Sequence, residues 1–149
     1  MKTLVVYDSA YGNTEKIAKS IGGAITGNVK VLRVGEVNPS GLEPVDFLIV
    51  GSPTYGGRPT PATLDFLNNI PESAVKGVSV AAFDTRLSAK WVKIFGYASG
   101  KIAGSLKAKG GTLTMSPEGF FVKGIKGPLI EGELERAASW AKEIDQGKK

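Results

Sequence analysis

Along this chain, continuous apolar runs alternate with stretches of helical periodicity. Apolar runs at 3–7 (TLVVY), 29–34 (VKVLRV), 45–51 (VDFLIVG), 78–83 (VSVAAF) and 111–115 (GTLTM) predict strands, and 119–122 (GFFV) offers a continuation of the last. The central runs are rich in Val and lack polar alternation, which suits strands buried on both faces of a parallel sheet. Helix patterns lie between them. Residues 14–25 put Ile17, Ala18, Ile21 and Ile25 on one stripe. Residues 61–70 begin with Pro61 at a first helical position, and 96–110 run to a Gly-Gly stop. Residues 132–144 place Leu134, Ala137, Ala138, Trp140, Ala141 and Ile144 on an apolar face. Strands alternating with helices imply right-handed βαβ units and a three-layer α/β sandwich. No repeat, linker or low-complexity tract divides the chain, so a single domain over 1–149 is expected, with a frayed QGKK tail.

Composition narrows the chemistry. Apolar residues make up 42% and charged residues 22%, a globular balance. No apolar run approaches the roughly 20 residues that span a membrane. Asp8 cuts short the apolar start, MKTLVVY, and no secretory h-region follows, so the expected compartment is the cytoplasm. There is no Cys, which excludes disulfides, iron–sulfur clusters, thiol catalysis and Cys-type zinc sites. There is no His, which argues against serine-triad chemistry and most metal enzymology. Redox or acid–base chemistry would therefore come from a bound cofactor. The net charge is +5, and the excess sits in one stretch. Eight cations (Arg86, Lys90, Lys93, Lys101, Lys107, Lys109, Lys123, Lys126) stand there against one acid, Glu118. This reads either as a solvated helix face or as docking to an acidic partner. No aromatic-interleaved basic motif supports nucleic acid.

In parallel sheets ligands sit outside the carboxyl ends of the strands, at the switch in strand order. The loops to read are then 8–14, 51–60 and 84–95. The first is DSAYGNT, in which Ser9, Ala10, Tyr11, Gly12, Asn13 and Thr14 bridge strand and helix. Helix-start N–H groups favour an anion there, and Gly12 permits close approach or positive φ. Ser9 and Thr14 can each donate to a phosphate oxygen. The alternative is a simple N-cap from Asn13 or Thr14. GxxxxGK[ST] and GxGxxG are both absent, and the loop holds no cation, so neutral donors would hold a monoester phosphate.

VVYDSAYGNTEKIA resembles the FMN-phosphate loop of flavodoxins through Val5, Val6, Tyr7, Ser9, Gly12, Thr14 and Ala18. It is also similar to the flavodoxin modules of flavodiiron proteins. Tyr11 departs from the family's usual Thr. The resemblance runs from Lys2 to about Ile144 at short-chain length. It implies a five-stranded parallel sheet of order 2-1-3-4-5 with helices on both faces. It also implies one noncovalent FMN cycling between oxidised, semiquinone and hydroquinone forms. The second loop, Pro53-Thr54-Tyr55-Gly56-Gly57, would reach the flavin, with Tyr55 stacking on the ring and the glycines allowing a peptide flip. Here Arg58 follows where an acid is common. The third loop would bring the backbone of Asp84, Thr85 and Arg86 to the polar edge of the ring, with Trp91 as an outer stacking ring, a partner anchor or a packed surface residue. Arg86 reverses the usual negative surroundings, unless it pairs with Asp84 or reaches the phosphate.

The resemblance implies an electron carrier that works with redox protein partners and needs no catalytic side chain or metal. A small FMN-dependent oxidoreductase, of quinone reductase or protoporphyrinogen oxidase type, is the alternative. A flavodoxin-fold interaction module with weak or no FMN binding is a third. Receiver domains share the fold but need an acidic pair after strand one and an Asp after strand three, and here strand three ends VGSP. The charge pattern points to acidic-faced partners or to docking that depends weakly on charge, with no nucleic acid or membrane, and a monomer is the default.

Overall fold

The apolar runs form strands, and the strands lie side by side. The computed structural model describes residues 1–87 and 97–147. Its strands are β1 (Lys2–Tyr7), β2 (Asn28–Arg33), β3 (Phe47–Pro53), β4 (Ser79–Leu87), β5 (Thr112–Leu113) and β6 (Glu118–Val122). Its helices are α1 (Asn13–Ala24), α2 (Pro61–Asn69), α3 (Glu72–Val75), α4 (Ala98–Ala108) and α5 (Glu133–Gly147). All pairings among these strands are parallel. The order is β2-β1-β3-β4-β5, with β6 also paired to β4. The order 2-1-3-4-5 is therefore present, its fifth place filled by two segments in line. Thr112 and Leu113 pair with Ser79 and Val80, while Glu118–Val122 pair with Phe83–Leu87. The ladder breaks between them. Pro117 has no N–H to donate there, and the Thr114 N–H and hydroxyl both turn to the Val80 carbonyl.

Strand alternation builds two cores. Val5, Tyr7, Phe47, Ile49, Ala81 and Phe83 face α1 and α5, meeting Ile17, Ile21, Trp140 and Ile144. Leu4, Val6, Leu48, Val50, Val80 and Ala82 face α2, α3 and α4, meeting Phe66, Ile70, Val75, Ile102 and Leu106. Helices thus cover both faces, as expected for strands without polar alternation. Phe83, Phe120 and Trp140 meet edge to face with centroids 6.1–6.3 Å apart. Leu134 does not join this face and is 40% exposed. Its neighbour Glu133 takes the inward position at the start of α5 instead.

Two strand ends run further than their polarity suggests. β3 continues through Ser52 and Pro53, and β4 continues through Asp84, Thr85, Arg86 and Leu87. These four are strand residues rather than loop, because β4 has partners on both sides. Ser52 and Pro53 pair with Asp84 and Thr85 from one side, and residues 119–122 pair with 84–87 from the other. Two-sided pairing outweighs the low strand propensity of Asp.

Glu133 ties α5 to the sheet. Its carboxylate accepts the Phe121 N–H at 2.7 Å and two bonds from Arg136, at 2.9 and 2.7 Å. Arg136 also reaches Glu118 at 3.1 Å and the Gly119 carbonyl. The Arg136 hydrogen bond, with the Phe121 N–H behind it, holds the Glu133 carboxyl below its ordinary 4.5. A depressed acid gives stability that is complete above its unfolded value and is lost as pH falls through the folded one. Urea midpoints of the wild type should therefore fall as pH drops below about 4.5. Glu133→Gln should be less stable at neutral pH and show a flatter acid limb. An acid limb as steep in the variant as in the wild type would reject this role.

Candidate functional site

The carboxyl ends of β1, β3, β4 and β6 gather four loops. The first leaves β1 at Tyr7. The Asp8 N–H bonds the Gly51 carbonyl at 3.1 Å, and its carboxylate accepts the Ser9 N–H at 2.9 Å and the Thr60 hydroxyl at 2.5 Å. Gly12 precedes α1 at φ 91°, a left-handed conformation that favours glycine, and no side chain caps the helix. The N-cap reading of Asn13 or Thr14 is thus not what forms, because Gly12 occupies the cap and has no side chain to offer. The Ser9 Oγ accepts the Gly12 N–H at 3.0 Å, which leaves its own proton free to donate. The Thr14 and Thr85 hydroxyls are 2.8 Å apart. Among the described residues, the N–H groups of Asn13, Thr14 and Glu15 have no acceptor. The positive end of the α1 dipole is thus lined by unpaired donors and two buried hydroxyls, Ser9 and Thr14.

Arg33, at the end of β2, holds this loop from outside. It donates to the Ser9 carbonyl at 2.8 Å and to Glu15 at 3.2 Å, and lies over the Tyr7 ring at 5.3 Å. The sequence reading passed over it. The signal was available, since every parallel strand ends at this edge.

The second loop follows Pro53. The Thr54 N–H bonds the Thr85 carbonyl at 2.9 Å, and its hydroxyl accepts the Ala98 N–H at 3.1 Å. Tyr55 and Arg58 close a two-residue turn through reciprocal bonds of 3.0 and 3.1 Å. Gly56 and Gly57 take φ of 57° and 78° there, the geometry of a primed hairpin turn. Lys101 holds the Gly57 carbonyl at 2.5 Å. Burial raises the Tyr55 phenol above its ordinary 10.0, with Tyr11 and Asp8 adding to the effect, so it stays neutral at physiological pH.

At the end of β4, Asp84 is fully buried and Arg86 pairs with it through two bonds of 2.7 Å. Asp84 also accepts the Ser99 N–H at 2.9 Å, and Arg86 reaches the Ser99 hydroxyl at 3.2 Å. The guanidinium lies 3.4 Å from the Tyr97 ring centroid on one side and over Gly119 on the other, where a Cβ would collide with it. Of the alternatives open to Arg86, pairing with Asp84 is the one that forms. Trp91 lies outside the described residues.

These loops enclose a cavity of about 40 Å³. Ser9, Ala10, Tyr11, Asn13, Thr14, Pro53, Thr54, Tyr55, Thr85 and Arg86 line it. Gly12, Gly56, Gly57 and Asp84 are not part of this lining. Leu87, Val122 and Ile125 line it as well, and none of them was expected. Val122 ends β6, and Ile125 belongs to a fourth loop that follows it. There Gly127 lies so close to the Asn13 amide that a Cβ would overlap it, and the Lys126 Nζ is 6.0 Å from the Tyr11 ring centroid. A larger cavity, about 310 Å³, lies at the opposite end of the sheet between β1, β2 and residues 36–45. None of the described α-helices has its first residue in its lining. The unpaired donors of Asn13 and Thr14 lie at the smaller one. Among the described residues no cluster of acids could hold a metal, and no helix is long and apolar enough to cross a membrane.

The family model described as flavodoxin matches residues 5–142. No curated protein sequence matches significantly. Solved structures do. A flavodoxin from the domain Archaea superposes with TM-score 0.82 at 24% identity, covering 100% of each chain. Flavodoxin 1 from Bacillus cereus superposes with TM-score 0.81 at 24% identity, covering 98% of each. The Flv1 flavodiiron core from Synechocystis gives TM-score 0.76 at 20% identity over 98% of this chain, which spans only 35% of that longer one.

Proposed function

The chain belongs to the flavodoxin family, and from that premise we propose that it binds one FMN at the carboxyl edge and carries electrons between redox proteins. The observation that carries this reading is the start of α1. A helix dipole, unpaired N–H groups at Asn13 and Thr14, and hydroxyls at Ser9 and Thr14 converge there without a side-chain cap. That donor set suits a phosphate monoester. The group fits the residues present.

In this reading Ser9, Ala10, Tyr11, Gly12, Asn13 and Thr14 hold the phosphate. Thr85 orients the Thr14 hydroxyl, a side-chain role in place of the backbone role first expected of it. Tyr55 offers a ring face to the isoalloxazine, and Tyr11 borders the same cavity. Pro53, Thr54 and the Gly56-Gly57 turn set where that ring stands. Arg33 fixes the loop through the Ser9 carbonyl. When bound, FMN supplies the one- and two-electron chemistry, while the chain binds, orients and shields it. No catalytic acid or base is required, in keeping with a chain that has neither His nor Cys.

The test is titration of the apoprotein with FMN, followed by fluorescence quenching and the visible spectrum. Saturation at micromolar FMN or below is expected. No binding at tens of micromolar would overturn the carrier reading in favour of an interaction module.

A further inference from the structure

We propose that the mouth of this cleft is a docking face for an acidic-faced redox protein, an inference that rests on the FMN reading. Among the described residues, five large hydrophobic side chains are exposed: Met1, Tyr11, Tyr55, Ile125 and Leu134. Three of them, Tyr11, Tyr55 and Ile125, come from three separate loops and line the same cavity. Such a convergence marks an interaction surface rather than scattered exposure.

The exposed charge around this patch is mainly basic, Asp8 being an acid of these loops that stays 20% exposed. Arg58 closes the hairpin that presents Tyr55, and Lys123 and Lys126 flank Ile125. All three cations are exposed and have no carboxylate partner among the described residues. The nearby acids are already engaged. Asp8 accepts Thr60 and Ser9, Glu118 pairs with Arg136 at 3.1 Å, and Asp84 is buried against Arg86. An apolar centre with a basic rim is the anatomy of a protein interface whose partner carries acids. The occupant is a small redox protein with carboxylates around its own redox centre. Each encounter moves one electron, so the partner's centre is oxidised by one and the flavin is reduced by one.

The probe is an acidic [2Fe–2S] ferredoxin, reduced and mixed with the FMN-loaded protein by stopped flow. Basic cytochrome c, mixed with the reduced protein, is the counter-probe. The ferredoxin rate constant should fall about tenfold as salt rises, while the cytochrome rate rises. Arg58→Glu/Lys123→Glu, saturated with FMN and checked by its visible spectrum before mixing, should lose roughly tenfold in the ferredoxin rate at low salt and gain with cytochrome c. A ferredoxin rate that is flat or rises with salt, or that the double variant leaves unchanged, overturns the proposal. A wild-type dimer that the variant abolishes, with both rates unchanged, overturns it in favour of self-pairing. The flavin spectrum is read first. A wild type that takes up no FMN sinks the flavin reading and the docking face together, whereas full loading with the wrong salt sign sinks the docking face alone.

Discussion

Asp84→Ala should cost the folded state about 3–5 kcal/mol. Asp84 has no exposed surface, and the Arg86 side chain is only 13% exposed. Removing the carboxylate strands a guanidinium between the Tyr97 ring and the Gly119 backbone, where little water reaches it. The Ser99 N–H at the start of α4 loses its acceptor at the same time. Arg86→Met should be comparably damaging, since it leaves a buried carboxylate with the Ser99 N–H alone. The double variant Asp84→Ala/Arg86→Met should recover most of the loss, ending within roughly 1–2 kcal/mol of wild type. Urea unfolding of the four proteins closes the cycle. Single variants within about 1 kcal/mol of wild type would show that the pair is not the buried unit the geometry describes.

That pair also changes what Arg86 means for a flavin. Read as a free cation, it would make reduction to an anionic form easier. Bonded at 2.7 Å to a buried carboxylate, it presents a dipole rather than a net charge. The exposed Arg58, Lys123 and Lys126, without a carboxylate partner among the described residues, then count for more in the net charge of these loops than Arg86 does.

The sequence showed the layers and hid the edges. Val-rich runs such as FLIV at 47–50 read as buried strands because burial on both faces leaves no polar alternation. Gly12 read as a place for close approach or for positive φ, and a φ of 91° is what forms at the turn into α1. The DTRL end of β4 did not read as strand, because its pairing comes from β3 and β6, which lie far away in sequence. The fourth loop was missed for a related reason. Residues 119–122 read as a continuation of the last strand, but Pro117 splits that position, and the loop after them, which brings Ile125 to the cavity, was not counted among the strand-end loops. Arg33 carries no motif; only its place at the end of β2 makes it part of the site.

Thr14→Val should weaken FMN binding by roughly 10–100-fold, from the loss of one charge-assisted bond worth about 1.5–3 kcal/mol. Valine keeps the shape and β-branching of threonine, so the first turn of α1 should survive. The Thr14 side chain is almost fully buried, and its hydroxyl is 2.8 Å from that of Thr85. When Thr85 donates to Thr14, the Thr14 proton is directed elsewhere, and the unpaired N–H groups beside it mark where an anion would sit. Thr85→Val should therefore weaken FMN binding as well, but less, because Thr14 can still rotate to donate. Riboflavin is the control, since it lacks only the phosphate. Its affinity should change by less than about twofold in both variants, because one missing bond matters only to the ligand that accepts it. Isothermal titration with both ligands reads the difference directly. Equal losses for FMN and riboflavin would mean that Thr14 supports the loop rather than the phosphate, and no loss for either would remove it from the site.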